Sequence, residues 1–326
     1  MASRPLDEFE RVARFFAPLA GAGALGLVDD VALIDGPPGE QYVLKTDAIV
    51  EGVDFLSGTA AELVAQKLLR VNLSDLAAKG ASPLGYLLVT ALPRSTGEEW
   101  LAGFAAGLAK DQATYGISLL GGDMSAIDGP ITLTLAAIGR VPAGRAVLRS
   151  GARAGDLVYA SGTLGDAALG LAVLQGRLDV AEPTAREFLV DRYHLPQPRL
   201  TLGQRLAGIA HAMLDISDGL VADLGHLCDA SGVAALVEGA KLPFSAAALP
   251  PVRAEQRWLM AALGGGDDYE LLFAAPPSAA AEIEALSRET GVAVTAIGRI
   301  EAGRGVKVID AGGAPLQVVS AGYRHF

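Results

Sequence analysis

Residues 61–79 read AELVAQKLLRVNLSDLAAK, and the fold turns on this stretch. Leu63, Lys67, Leu68, Val71 and Leu76 fall near helical spacing, and Gly80 stands where a helix C-cap belongs. Strand-like runs flank it: VALI (31–34) and YVLKTDAIV (42–50) before, then YLLVTALP (86–93), ISLL (117–120) and ITLTLAAIGRV (131–141) after. Among these, Ser95-Thr96-Gly97-Glu98 has the capping-box pattern and opens a second helix, which buries Trp100, Leu101, Phe104 and Leu108 and stops at Gly116.

The pattern loosens between Arg149 and Asp156 into a small, polar, glycine-bearing connection, so the sequence predicts domains at 1–149 and 150–326. Beyond it, helices are expected near 166–174, 198–210, 217–230, 255–263 and 278–290, and strands near 157–160, 213–216, 234–237, 270–274 and 292–299. Two mixed α and β domains suit a chain of 326 residues. No repeat of roughly 20–50 residues is visible, which excludes a solenoid or propeller.

Hydrophobic residues are 51% of the chain, charged residues 19%, and the net charge is −11. Such acidity argues against a nucleic-acid partner, whose binding draws on lysine and arginine. A single cysteine, Cys228, leaves no internal disulfide framework and suits a reducing compartment. The first residues place Leu6, Phe9, Val12 and Phe16 on one helical face without the apolar core of a signal peptide, and no membrane span follows. Cytoplasm is the simplest location.

The informative feature is a set of acids in apolar or glycine-rich segments: Asp29-Asp30, Asp47, Asp75, Asp123, Asp215 with Asp218, and Asp267-Asp268. An unpaired buried carboxylate is costly, and two of them about 4 Å apart repel by roughly 4 kcal/mol at an effective dielectric near 20. Lys45 and Lys79 are the nearest cations, too few to neutralise the set. Divalent ions can do so, and oxygen-only donors suit Mg²⁺. Taken singly, each Asp also reads as a helix cap or turn residue.

Several motifs are decoys. Gly21-Ala22-Gly23-Ala24-Leu25-Gly26 fits the dinucleotide pattern, yet a helix precedes it and a strand follows, the reverse of the required context. There is no P-loop and no protein-kinase signature. His194, His211, His226 and His325 lack metal-protease spacing. The turn 161–166, SGTLGD, presents backbone N–H groups that suit either an anion or a plain strand-to-helix turn.

The segments VDDVA (28–32), Thr46-Asp47, NLSDLAAKG (72–80), Gly121-Gly122-Asp123, Arg149-Ser150-Gly151, DISDG (215–219), GGDDYE (265–270) and the closing GYRHF (322–326) resemble the thiamine-monophosphate kinase family in order and spacing, end to end. That resemblance implies an α+β, two-domain synthetase-like kinase fold. Its N-terminal domain would bind ATP and Mg²⁺ and form a β-barrel, flanked by helices, across a homodimer; its C-terminal domain would be an α/β sandwich. It implies direct transfer from Mg-ATP to thiamine monophosphate, giving thiamine diphosphate and ADP. By motif position Asp30, Lys45, Thr46, Asp47, Asp75, Asp123, Asp215 and Asp218 fall at metal positions. Gly122, Asp123, Arg149 and Ser217 fall at nucleotide positions, Asp123 and Arg149 also supporting the transition state, and Asp54, Asp267 and Tyr323 at acceptor positions. The chain departs from the pattern at Val28, where glycine is usual, at Lys45, where Ser or Thr is usual, at Asp54, where His is usual, and at Asp267, where Glu is usual. Two other readings share the frame: a related ATP-dependent synthetase acting on another nucleophile, and a metal-stabilised binding protein without turnover.

Overall fold

The structure is a computed structural model that describes residues 10, 12–316, 318 and 322. Leu6, Phe9, Tyr323 and His325 lie outside the described residues, as does the Phe16 side chain; Val12 opens a π-helical turn, Val12–Phe16.

The first half contains β1 (Ala32–Asp35), β2 (Glu40–Val50), α1 (Ala61–Ala78), β3 (Ser82–Pro93), α2 (Glu98–Tyr115), β4 (Ser118–Ile127) and β5 (Thr132–Pro142). Its sheet runs β1-β2-β5-β3-β4, with β3 and β4 parallel across the α2 crossover and the other pairs antiparallel. Period-two alternation explains the packing: Leu133, Leu135, Ala137, Gly139 and Val141 of β5 are buried while the residues that alternate with them are not. Within one chain the sheet is open, with β1 and β4 as its edges.

The second half contains β6 (Leu157–Ser161), α3 (Asp166–Leu174), α4 (Pro183–His194), α5 (Leu200–Leu206), β7 (Ala212–Asp215), α6 (Leu220–Ser231), β8 (Ala234–Glu238), α7 (Leu249–Ala254), α8 (Gln256–Gly264), β9 (Leu271–Ala275), α9 (Ala280–Thr290), β10 (Val294–Glu301) and β11 (Gly305–Ile309). These strands form a mixed sheet ordered β11-β8-β10-β6-β9-β7, in which only β11 and β8 are parallel. Cys228 is buried in the core under this sheet, where burial pushes its thiol up to about 12. No helix among the described residues is long and apolar enough to cross a membrane.

Helix α1 joins the halves. It touches β2 and β5 on one side and β7, β9 and α5 on the other, so nearly its whole circumference is buried, polar residues included. Gly203 of α5 is where the helices come closest, since a Cβ there would collide with the Ala77 carbonyl.

Several expectations are corrected. Gly97, not a serine or threonine, is the N-cap of α2, and it makes no side-chain capping bond, so the capping-box pattern is not used. Trp100 and Leu101 are only partly buried, whereas Phe104 and Leu108 are buried. The helix expected over 198–210 is confined to α5, because Gly208 takes φ +97° and breaks the turn. The sequence reading passed over α4, α7 and β11 altogether.

Candidate active site

The site forms where β2, the C-terminal half of α1, the end of β7 and the loops at 28–30, 216–219 and 264–270 meet. Lys45 and Asp47, two apart on β2, point to one side of the strand. Asp75 meets them from α1, and Asp215 arrives at the last position of β7. Backbone bonds clamp two loops together: Asp267 N–H donates to the Ser217 carbonyl at 2.8 Å and Tyr269 N–H to the Ile216 carbonyl at 2.8 Å. Asp267 and Tyr269 adopt left-handed backbone conformations, φ +63° and +50°, of the strained kind concentrated at functional sites. Asp223 Oδ2 accepts from the Asp218 and Gly219 N–H groups, both at 3.0 Å, and so shapes the 215–219 loop from below.

A cleft of about 330 Å³ results, and Asp30, Lys45, Asp47, Asp54, Arg149, Ser217, Asp218 and Asp267 all line it. Asp75 and Asp215 are buried just beside it, each 5% exposed. Lys45 Nζ lies 2.8 Å from Asp75 Oδ2 and 3.9 Å from Asp47 Oδ2. Lys79 Nζ lies 3.0 Å from Asp29 Oδ1 and 3.4 Å from Asp30 Oδ2, and the Arg149 guanidinium grips Asp30. Three cations thus stand among the acids, more neutralisation than the sequence led us to expect. No three His, Cys, Asp or Glu side chains among the described residues already converge as a metal cage.

The balance is still negative. Burial pushes the Asp75 carboxyl up against the pull of Lys45, and Asp215 and Asp47 push it further. Asp215 is also raised, chiefly by burial, while the Ser74 hydroxyl and Lys45 hold it back. Burial works to lower Lys45, but Asp75 and Asp47 outweigh it and the ammonium is held firmly. Asp215 Oδ2 is buried without a hydrogen-bond partner among the described residues. An orphan carboxylate oxygen beside two more carboxylates, with oxygen donors only, is a set that a hard divalent ion fits.

Other predicted positions stand apart. Gly122 and Asp123 lie on the edge strand β4, outside the cleft lining, where Asp123 Oδ2 accepts from Ser125 Oγ at 3.3 Å. A Cβ at Gly122 would collide with the Leu88 carbonyl, so the strand itself requires glycine there. Thr46 points the opposite way from Lys45, its hydroxyl donating to the Leu135 carbonyl at 3.2 Å. The 161–166 turn is not an open anion site: Gly165 N–H already donates to both Asp268 oxygens, at 2.9 and 2.8 Å. His211 pairs with Asp156 at 2.9 Å, away from the cleft.

The sequence reading missed Lys67, Tyr193, Asp223 and His226, which also line the cleft. Lys67 is 2% exposed; its Nζ donates to Asp267 Oδ2 and to the Asp54 carbonyl, both at 3.0 Å, and lies 3.9 Å above the centre of the Tyr193 ring. A lysine on the apolar stripe of α1 was the available signal. A larger cavity of about 830 Å³, lined by Leu178, Phe188 and Trp258 among others, contains none of the predicted site residues.

The family described as "AIR synthase related protein, N-terminal domain" matches residues 28–141, and its C-terminal counterpart matches residues 153–311. Thiamine-monophosphate kinase of Escherichia coli K12 is 40% identical over 98% of this chain and 98% of its own length. A crystal structure of thiamine-monophosphate kinase from Stenotrophomonas maltophilia K279a superposes with a TM-score of 0.78 at 40% identity, over 90% of this chain and 93% of that one. AaThiL complexed with AMPPCP and TMP superposes with a TM-score of 0.84 at 31% identity over 100% of both chains. The chain belongs to the thiamine-monophosphate kinase family, one branch of the AIR synthase-related proteins.

Proposed function

We propose that this chain transfers the terminal phosphoryl group of ATP directly to thiamine monophosphate, producing thiamine diphosphate and ADP. The observation that carries the reading is Asp75, buried beside the cleft that Asp47 lines and pushed by the charges of both Asp47 and Asp215, with a buried oxygen of Asp215 unpartnered among the described residues. Its full-length likeness to a relative complexed with AMPPCP and TMP supports the choice of substrates. An oxygen of the acceptor phosphate attacks the γ-phosphorus, and the bond to the bridging oxygen breaks as ADP leaves with the electron pair. That attacking oxygen is already ionised near neutral pH, so no nucleophilic side chain and no strong base is required. Asp30, Thr46, Asp47, Asp75, Asp123, Asp215 and Asp218 would hold Mg²⁺, which when bound neutralises phosphate charge. Thr46 would take part through its main chain, its hydroxyl being committed to Leu135.

Arg149, whose guanidinium now engages Asp30 and the Val28 carbonyl, offers a planar fork to a nucleotide phosphate. Ser217, at the cleft, and Gly122 with Asp123 complete the proposed nucleotide contacts. We assign Asp54, Asp267 and Tyr323 to the acceptor. A homodimer with a barrel formed by both copies is supported by the apolar side chains that β3 and the edge strand β4 leave uncovered, Leu87, Leu119, Leu120 and Met124. It would give the edge strand bearing Asp123 a partner. We place the division between the ATP- and Mg-binding, dimerising domain and the C-terminal domain at residues 149 and 150.

The test is ADP release with and without thiamine monophosphate, in Mg²⁺ and then in EDTA. Release is expected only with both the acceptor and Mg²⁺ present. Release that instead needs an aminoimidazole precursor or selenide reassigns the chain to a synthetase, and binding without any turnover makes it a binding protein.

Lys67 yields a separate expectation, because it ties Asp267 to the Asp54 carbonyl. Lys67→Met keeps the length and loses the charge. A charge-assisted hydrogen bond of about 1.5 kcal/mol or more corresponds to roughly a tenfold rise in KM for thiamine monophosphate. The KM for ATP stays near that of the parent in the same steady-state assay; equal rises in both constants contradict the assignment.

A further inference from the structure

Lys45 puts a positive charge inside the acid cluster, on the spot that the reading above leaves for a metal ion. Its Nζ stands 2.8 Å from Asp75 and 3.9 Å from Asp47, and the side chain is 15% exposed. Asp215, whose Oδ2 has no partner among the described residues, contributes to the same field. An ammonium and a divalent cation held by the same carboxylates in partly dehydrated surroundings repel each other strongly, so the two compete for one position. Lys79 differs in kind: it is fully buried, bridges Asp29 and Asp30, and also donates to the Met213 carbonyl at 3.4 Å, which makes it a fastener for the 28–30 loop. Lys45 has no such main-chain anchor among the described residues. Its partners there are Asp75 and Asp47, carboxylates proposed to hold metal.

We propose that Lys45 is a tethered cation filling one divalent-ion position between Asp75 and Asp47, so that the loaded site takes one ion fewer than it would with a neutral side chain at this position. The proposal rests on the reading of the cleft as a Mg²⁺-dependent phosphoryl-transfer site. It accounts for a lysine in a place where its charge would otherwise oppose metal loading. Part of the neutralisation is then covalently attached and independent of free Mg²⁺.

The test counts ions directly. Mn²⁺ is titrated into the full chain with a non-hydrolysable ATP analogue, and free Mn²⁺ is read from its electron paramagnetic resonance signal, for the parent, Lys45→Ser and Lys45→Arg. Lys45→Ser is expected to bind one Mn²⁺ more per chain than the parent, and Lys45→Arg, which keeps the charge, to match the parent. Should the serine variant fail to fold by circular dichroism, Lys45→Gln carries the same expectation. Equal, non-zero counts in the parent and the neutral variant overturn the proposal while leaving the kinase reading intact. No Mn²⁺ on any of the proteins overturns both.

Discussion

Asp215→Asn is expected to fold as the parent does and to lose about 10²–10³-fold in turnover, the loss typical of removing one preorganised electrostatic contact to a developing charge. Shape is preserved because asparagine is nearly isosteric and Asp215 Oδ2 has no hydrogen-bond partner among the described residues to lose. Stability need not fall either, since burial already pushes this carboxyl up and its charge works against that of Asp75. What disappears is a negative charge beside Asp75, and with it one proposed anchor for Mg²⁺. The dependence on Mg²⁺ should therefore shift to higher concentration along with the fall in kcat. Steady-state rates across a Mg²⁺ series, with a thermal melt as the folding control, check this. Parent-like kcat in Asp215→Asn at every Mg²⁺ concentration would remove Asp215 from the chemistry.

The acids of this site were legible in the sequence because apolar neighbours forced the question of what neutralises them. Asp75 sits among leucines and alanines, and Asp215 ends a buried strand. The partners were harder to read. Lys67 was absorbed into a hydrophobic stripe, and only the approach of Asp267 from another loop shows why a lysine is tolerated there at 2% exposure. Asp223 lies within a helix and carries no local motif, yet it collects two N–H groups from the loop before that helix. Helix α4 was missed although Glu182 and Pro183 are a sound start signal, the Glu182 carboxylate accepting from Thr184 and Ala185 N–H groups. Its residues lack a clear apolar stripe, so periodicity was silent. Strand β11 has five residues and is held by parallel pairing to β8, a long-range contact that no local pattern encodes. Which strands meet and which cations lean into the cleft are tertiary facts, whereas helix α1, its flanking strands and the acid segments are local ones.

Asp111→Ala is expected to be the most destabilising single substitution among those considered, at about 3–5 kcal/mol, the usual consequence of leaving one partner of a buried ion pair alone. Asp111, on α2, is 0% exposed and accepts from Arg70 Nε at 2.7 Å, Arg70 Nη2 at 3.0 Å and Gln66 Nε2 at 2.8 Å. Burial disfavours the Arg70 charge, and the hydrogen bonds to Asp111 reverse that and hold its proton. Arg70 Nη1 also reaches the Pro196 carbonyl at 3.2 Å, so the pair ties α1 and α2 to the segment leading into α5. Alanine strands a guanidinium whose alternative solvent is closed off. Against a total stability of roughly 5–15 kcal/mol, that loss lowers the urea midpoint by a large fraction. If the cause is the stranded charge, and not the lost volume, Arg70→Met combined with Asp111→Leu should recover more than half of it, because two apolar side chains can replace a buried pair. Recovery stops short of complete, since Gln66 loses its acceptor as well. An Asp111→Ala midpoint equal to the parent's would mean that water reaches Arg70, and a double variant no better than the single one would assign the cost to packing.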